Sequence, residues 1–452
     1  LLLPSAQSKL LFSECGREFL DLTTGIGVTN LGHSHPRVTA AVAKAVGEGG
    51  LVHQQQNIMR HRPMVDLIER LGALPFAEDN GLDAWFFWNS GAEAVEASLK
   101  LARQATGKQY IITVQGGYHG RTFGTMPLTT SGIAYRNGFG PLMGGVAHTQ
   151  FPYLSRGPYG MEDTKAWPVQ DLTPEGYQYW GAAPPDVAAR DTARCLDSLE
   201  LLLRTQCSPA ETAAVLVEPV LGEGGYLPCP PGYLKGLRDI CDRHGLLLIC
   251  DEVQTGFGRT GSMFASEWID GGVRPDILIC AKGIANGFPI SAIGTRQDLS
   301  IKQTPGGMGG TYCSNAVGCA AALGVLDAFA EDNVLGVAAV RHHQLLGELS
   351  NIQAKFPGFI REVRGAGMMI GGSNLSVASA GIDLEQQLGG SYGAQAQAVQ
   401  AAALKRGLLL LVCGPYDTIR LIPALTISSG ELSTAMTILS DAIEEVASRT
   451  IS

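Results

Sequence analysis

Short, wholly apolar runs alternate with segments of helical periodicity along this 452-residue chain, and that rhythm constrains its fold most. Ala84–Trp88, Tyr110–Val114, Val215–Val217, Leu246–Cys250 and Ile277–Cys280 read as strands buried on both faces. One helical pattern runs over about 92–105, with Ala94, Ala97 and Leu101 on one face behind a Ser90–Gly91 cap. Another follows Asp191, with Leu196, Leu199 and Leu203 at helical spacing. This alternation builds βαβ units on a mainly parallel sheet, which makes the fold class α/β. Two stretches break the rhythm. Residues 153–190, rich in Pro, Gly, Tyr and Trp, predict a long structured loop, and 371–396, rich in Gly, Ser and Gln, a surface loop. The expected organisation is a large domain over 45–325 and a smaller α/β domain built from both chain ends, 1–44 and 326–452.

Composition removes whole classes of function. An apolar content of 45% with only 17% charged residues is the reverse of a disordered chain. With 33 basic against 42 acidic residues, the net charge of −9 offers no basic footprint, so no nucleic-acid partner is expected. The longest apolar run, Leu408–Cys413, is far short of the roughly 20 residues that span a bilayer. No membrane partner is expected. No basic segment precedes a hydrophobic one at the start, so no secretory signal is expected. The expected compartment is the cytoplasm, or the mitochondrion if a presequence has been removed. Ten cysteines without CxxC spacing read as reduced core residues. Glycine, at 58 residues, runs at nearly twice its usual share of roughly 7%. It has no Gly-X-Y period, so it marks places where backbone turns tightly or approaches something closely.

Gly256-Phe257-Gly258-Arg259-Thr260-Gly261 is a literal GxGxxG, the pattern of a dinucleotide site. Five residues separate it from the preceding strand, and Asp276 begins the next strand where a ribose-binding acid would end it. An NAD-dependent oxidoreductase is therefore kept only as the alternative from another class. Asp251 closes an apolar strand at the carboxyl end, where open α/β sheets bind ligands. A charge there needs a cation or several donors; otherwise the residue caps the next turn. Lys282 ends the next apolar strand. To act as a nucleophile it must fall well below the free-lysine pKa of about 10.4. The alternative is a strand-end lysine with its stem packed and its head in water. In Asn89-Ser90-Gly91-Ala92-Glu93-Ala94 a strand turns through Ser-Gly into a helix, either a phosphate cradle or an ordinary helix start. Tyr118 and His119, flanked by glycines, offer rings to a flat cofactor, and Arg121 a bidentate clamp for a carboxylate. His119 by itself reads as structural. An acid, a lysine, an aromatic face and a phosphate cradle at strand ends of one sheet are what pyridoxal 5′-phosphate (PLP) requires.

With these residues in hand, the chain resembles the class III (ω-amino acid) PLP-dependent aminotransferases of fold type I, from about Cys15 to about Ala447. The resemblance begins at Gly25–His33 with His35-Pro36, and continues through Asn89–Ala94, Tyr118–Thr122, Glu218-Pro219-Val220 and Gly222–Gly225. Its most specific block is Asp251–Gly261, with Lys282 thirty-one residues after Asp251. His33 and His35 belong to the motif, so no metal site is expected. The resemblance implies that Lys282 forms the Schiff base and later shuttles the proton, while Asp251 holds the pyridine nitrogen protonated. It implies that Val253 and Tyr118 sandwich the ring, with His119 beside it, and that Gln254 meets the ring hydroxyl. Ser90, Gly91 and Ala92 would hold the phosphate, joined by Thr311 from across a dimer interface. The active unit implied is a homodimer or a dimer of dimers.

Substrate choice follows from a physical conflict. An ω-amino acid has no carboxylate beside its reacting carbon, whereas a 2-oxo acid such as 2-oxoglutarate or pyruvate has one. A fixed arginine there would favour only the second. In the 4-aminobutyrate and ornithine branches an arginine paired with a movable glutamate resolves this, and Arg420 and Glu223 match that pair. Arg121 resembles the residue holding the distal carboxylate, and Ile26 the apolar residue shaping the 4-aminobutyrate pocket. The implied activity is 4-aminobutyrate-like ω-transamination to a 2-oxo acid by a ping-pong cycle. Acetylornithine or ornithine enzymes, amine–pyruvate transaminases and dialkylglycine-type decarboxylases are the alternatives within the family. The run Tyr312-Cys313-Ser314-Asn315-Ala316 departs from the Phe-Gly-Gly-Asn-Pro-like run of many relatives.

Overall fold

The protein is described by a computed structural model covering residues 5–49, 52–53, 58–153, 179–180, 185–357, 359–374, 394–413 and 418–450. Its central sheet has seven strands in the order Ala84–Trp88, Ser291–Thr295, Ile277–Cys280, Leu247–Asp251, Thr212–Val217, Tyr110–Val114, Val146–Thr149. Ser291–Thr295 runs antiparallel to both neighbours, and every other pairing is parallel. All five expected strands are present, with Thr212–Val217 starting three residues earlier than the apolar run suggested. Ser291–Thr295 reads Ser-Ala-Ile-Gly-Thr and lacks an apolar run, yet it is buried throughout. Its small residues are a packing requirement: a Cβ on Gly294 would lie 2.7 Å from the ring of Trp85.

The helix Gly91–Thr106 is capped by Ser90, whose hydroxyl accepts from the Glu93 amide, and ends at Gly107 with φ +70°. Its buried face, Ala94, Val95, Ala97, Ser98, Leu99, Leu101 and Ala102, is mostly small, which lets it lie close on the sheet. The second expected helix spans Pro185–Thr205 and begins before Asp191, because proline fits the first helical turn.

An antiparallel sheet orders Leu411–Cys413, Thr418–Leu421, Met369–Asn374, Ile360–Ala366 and Tyr179–Trp180. Both expected loops are thus corrected at their edges. Residues 179–180 and 371–374 are strand, 185–190 and 394–396 are helix, and the remainder of each stretch beyond residue 153 lies outside the described residues. In a third sheet, Ser5–Gln7, Leu10–Phe12 and Glu18–Asp21 meet Leu408–Leu409, bringing the two chain ends together.

The GxGxxG is a buried turn. Arg259 within it is wholly enclosed and donates to Met368 O at 3.2 Å and Asn30 Oδ1 at 2.7 Å, and also to Pro423 O. A Cβ on Gly258 would strike Phe329 at 2.7 Å. These glycines make room for protein and leave none for a dinucleotide. All ten cysteines are free and nine are buried, with Cys15 exposed. No helix among the described residues is long and apolar enough to cross a membrane.

Candidate active site

Leu247–Asp251 and Ile277–Cys280 are parallel neighbours, so their carboxyl ends deliver Asp251 and Lys282 to one edge of the central sheet. Asp251 is 3% exposed. Its Oδ1 accepts from the Val253 amide at 3.1 Å, and its Oδ2 lies 2.8 Å from His119 Nδ1. His119 is fixed in turn by Thr113 Oγ1 at 3.1 Å from Nε2, and its amide donates to Thr129 Oγ1. The histidine therefore orients the acid, a task its own motif did not reveal.

Lys282 has φ +47°, a left-handed conformation that costs an ordinary side chain on the order of 1–2 kcal/mol and collects at functional sites. Burial pushes its amine below the ordinary lysine value, and the Arg420 guanidinium acts the same way. The carboxylates of Glu223, Glu218 and Asp251 oppose the shift.

Both residues open onto a cavity of about 460 Å³. Ser90, Gly91, Ala92, Tyr118, His119, Arg121, Glu223, Val253 and Gln254 line it with them, so most of the expected site is assembled. Of the first-turn amides of the helix, Glu93 N donates to Ser90 Oγ and Ala94 N to Ser90 O. The amides of Gly91 and Ala92 precede them at the cavity wall, where a helix start favours an anion. A Cβ on Gly91 would stand 3.1 Å from a Val253 methyl, so the absence of a side chain keeps this wall open. Gln254 Oε1 is buried without a hydrogen-bond partner among the described residues. A buried acceptor of that kind calls for a ligand donor. Together these features fit PLP: a helix start for phosphate, an unmatched acceptor for a ring hydroxyl, a buried acid for a ring nitrogen and a desolvated amine.

Glu223 lines the cavity and pairs with Arg420, Oε1 to Nη1 at 2.6 Å. Arg420 is 3% exposed, lies 5.4 Å from the centre of the Tyr226 ring, and donates to Val412 O at 3.2 Å. Thr311 and Ile26, both exposed, and the buried Arg420 stand outside the residues that line the cavity.

Three contributors were not singled out from the sequence as site residues. Glu218 closes the strand Thr212–Val217 as Asp251 closes its own, so the same strand-end rule could have found it. It accepts from the amides of Tyr118 at 2.8 Å and Gly222 at 3.0 Å. Burial pushes its carboxyl up to about 7, opposed by His119 and reinforced by Asp251. Tyr135 donates to Glu223 Oε2 at 3.4 Å and meets Tyr118 edge-on at 5.1 Å. Asn89 lines the wall, its amide donating to Glu93 Oε2 at 3.1 Å. No sequence signal marks Tyr135, which lies in a short 3₁₀ turn at Ile133–Tyr135.

The aminotransferase class-III family model matches residues 3–443. The chain is 34% identical over 447 residues to 5-aminovalerate aminotransferase of Pseudomonas putida, covering 98% of this chain and 93% of the relative. It is 35% identical over 438 residues to 4-aminobutyrate aminotransferase of Escherichia coli, covering 95% and 90%. An amine transaminase from an uncultivated Pseudomonas species, solved in its PLP-bound form, superposes with a TM-score of 0.83 at 29% identity over 99% of this chain and 95% of that one. The expected fold type I and the transaminase activity hold, and the nicotinamide alternative falls. With its strand-end acid and lysine set around a cavity suited to pyridoxal phosphate, the chain belongs to the class III aminotransferases, PLP-dependent enzymes that act on amines and oxo acids.

Proposed function

We propose that this aminotransferase takes its amino group from an ω-amino acid of the 4-aminobutyrate type and passes it to a 2-oxo acid by a ping-pong cycle. The observation that supports this reading is the Glu223–Arg420 ion pair, whose glutamate lines the cavity onto which Lys282 opens. Bound there, the cofactor supplies an aldehyde that takes up the amine and a ring that accepts the electrons left when a proton departs. The protein contributes the remainder. Asp251, held by His119, keeps the ring nitrogen protonated. Val253 and Tyr118 would hold the ring between them, and Gln254, whose Oε1 has no partner among the described residues, would meet the ring hydroxyl. Gly91 and Ala92 offer amides to the phosphate, with Ser90 shaping the turn. Nζ of Lys282, its charged form disfavoured by burial, carries the proton. With the pair closed, Glu223 cancels the charge of Arg420, which suits a donor with no carboxylate beside its reacting carbon. With the pair open, Arg420 is free for the acceptor's carboxylate, the geometry Arg prefers. Arg121 takes the distal carboxylate in both, and Ile26 borders the donor's path.

The exposure of Thr311 supports a homodimer in which it reaches the partner's phosphate. The partition of the strands between sheets supports a large domain at 45–325 and a small one from 1–44 and 326–452, with Tyr179–Trp180 as the strand that crosses between them.

The test is a single-turnover series read in the visible absorption of bound PLP. 4-Aminobutyrate should discharge that absorption and 2-oxoglutarate restore it. Arg420→Ala should slow the restoring half at least tenfold more than the discharging half, since a charge-assisted bidentate contact is worth about 1.5–3 kcal/mol. Discharge by acetylornithine or a simple amine but not by 4-aminobutyrate would refute the donor assignment.

A further inference from the structure

Arg364, Gly371 and Arg420 form one row across three neighbouring antiparallel strands, since Arg364 pairs with Gly371 and Gly371 with Arg420. Directly paired residues put their side chains on the same face. Two arginines therefore flank a position that has no side chain. That gap is filled by the turn carrying Glu223. A Cβ on Gly371 would lie 3.0 Å from Gly225 O and 3.5 Å from Tyr226 Cβ.

The two arginines grip this turn differently. Arg420 holds the Glu223 carboxylate, Nη1 to Oε1 at 2.6 Å. Arg364 holds the backbone, Nε donating to Gly225 O at 3.0 Å. Arg364 Nη2 also donates to Thr418 Oγ1 at 3.0 Å, two residues before Arg420 on the same strand, and Nη1 pairs with Glu362. Arg364, Glu362 and Thr418 are 2%, 4% and 0% exposed, and none lines the cavity. One guanidinium thus joins the turn that bears the acid to the strand that bears its arginine. Gly225 has φ +115°, and a Cβ there would lie 3.0 Å from Arg364 Nη2, so the turn is shaped to receive this contact.

We infer that Arg364 is a positioning residue for the Glu223–Arg420 pair, fixing the backbone of the Gly222–Gly225 turn so that opening and closing is confined to the Glu223 side chain. The inference rests on the proposed exchange of partners at Arg420. Without the anchor the turn drifts, Glu223 reaches Arg420 less often, and an uncancelled arginine faces the ω-amino donor. The donor half-reaction suffers more than the acceptor half.

The experiment measures the second-order rate constants of both half-reactions on the holoenzyme, with 4-aminobutyrate and 2-oxoglutarate, and compares their donor-to-acceptor ratio. Glu223→Gln and Arg420→Ala set the scale, lowering and raising that ratio respectively. Arg364→Gln should lower it about fivefold, as expected when a buried charge-assisted bond is lost and partly compensated. Arg364→Lys, which keeps the charge beside Glu362 and one donor, should recover part of that shift. Thr418→Val, which removes one acceptor without changing size, should lower the ratio about twofold, and it decides the matter if Arg364→Gln does not fold. If the two scale variants move the ratio and neither Arg364→Gln nor Thr418→Val does, whatever their melting temperatures, the positioning role is overturned. If Arg420→Ala leaves the ratio unchanged, the partner exchange itself is wrong and this role falls with it.

Discussion

His119 Nδ1 and Asp251 Oδ2 lie 2.8 Å apart in a wholly enclosed contact, joining the first aromatic motif of the site to the end of a strand 132 residues later. Removing one partner of a buried charged contact leaves the other exposed to its full desolvation cost, about 3–5 kcal/mol for a complete ion pair. His119→Ala should therefore lower the melting temperature of the apoprotein and weaken PLP retention, while His119→Asn, which keeps a donor, should lose less. Equal loss in the two variants, measured by thermal unfolding and cofactor release, would show that the ring matters only for packing.

The depressed amine of Lys282 fixes a sign. Its folded pKa lies below the ordinary 10.5, so between those values the unfolded chain binds the extra proton. Stability of the apoprotein should rise with pH across that window by this residue's share, and Lys282→Met should flatten the rise. The same residue should react with an acylating reagent at a lower pH than surface lysines, read by peptide mapping. A labelling profile like that of the surface residues contradicts the assignment.

Glu218 has the opposite sign. Its folded value of about 7 exceeds the reference of 4.5, so the folded chain holds the extra proton between them and stability falls as pH rises through that interval. Glu218→Gln should remove a fall of up to about 3 kcal/mol between pH 4.5 and 7. Denaturant titrations across that range test it; parallel curves for the two proteins would reject it.

Gly120 has φ +120°, and a Cβ there would come within 2.7 Å of both Ala92 Cβ and Thr125 Oγ1. Gly120→Ala should push Ala92 and its amide off the helix start, and PLP affinity should fall about tenfold, equivalent to about 1.4 kcal/mol. Retained affinity would show that the Ala92 amide is not needed for the phosphate.

Asp251, Lys282 and the Ser90–Gly91 turn were legible because each follows a strand so apolar that its end is unmistakable. Glu218 obeys the same rule, but only Val215–Val217 before it form a strongly apolar run, and the resemblance gives it no role. The antiparallel strand Ser291–Thr295 was illegible because close packing against Trp85 demands small residues and so erases the apolar signature. The row of Arg364, Gly371 and Arg420 was illegible for another reason. Register between strands is set by pairing across the sheet, and no local period in the chain encodes it.

Arg259 has a consequence of another kind. It stands five residues after the cofactor-side Gln254 and holds Asn30 from one chain end and Met368 and Pro423 from the other. Asn30 in turn donates to the carbonyl of Phe257, and its own carbonyl accepts from Leu425. Remote parts of the polypeptide thus share one knot next to the catalytic floor. Segments from both ends of the chain are thereby tied, through one enclosed guanidinium, to the loop that carries Gln254.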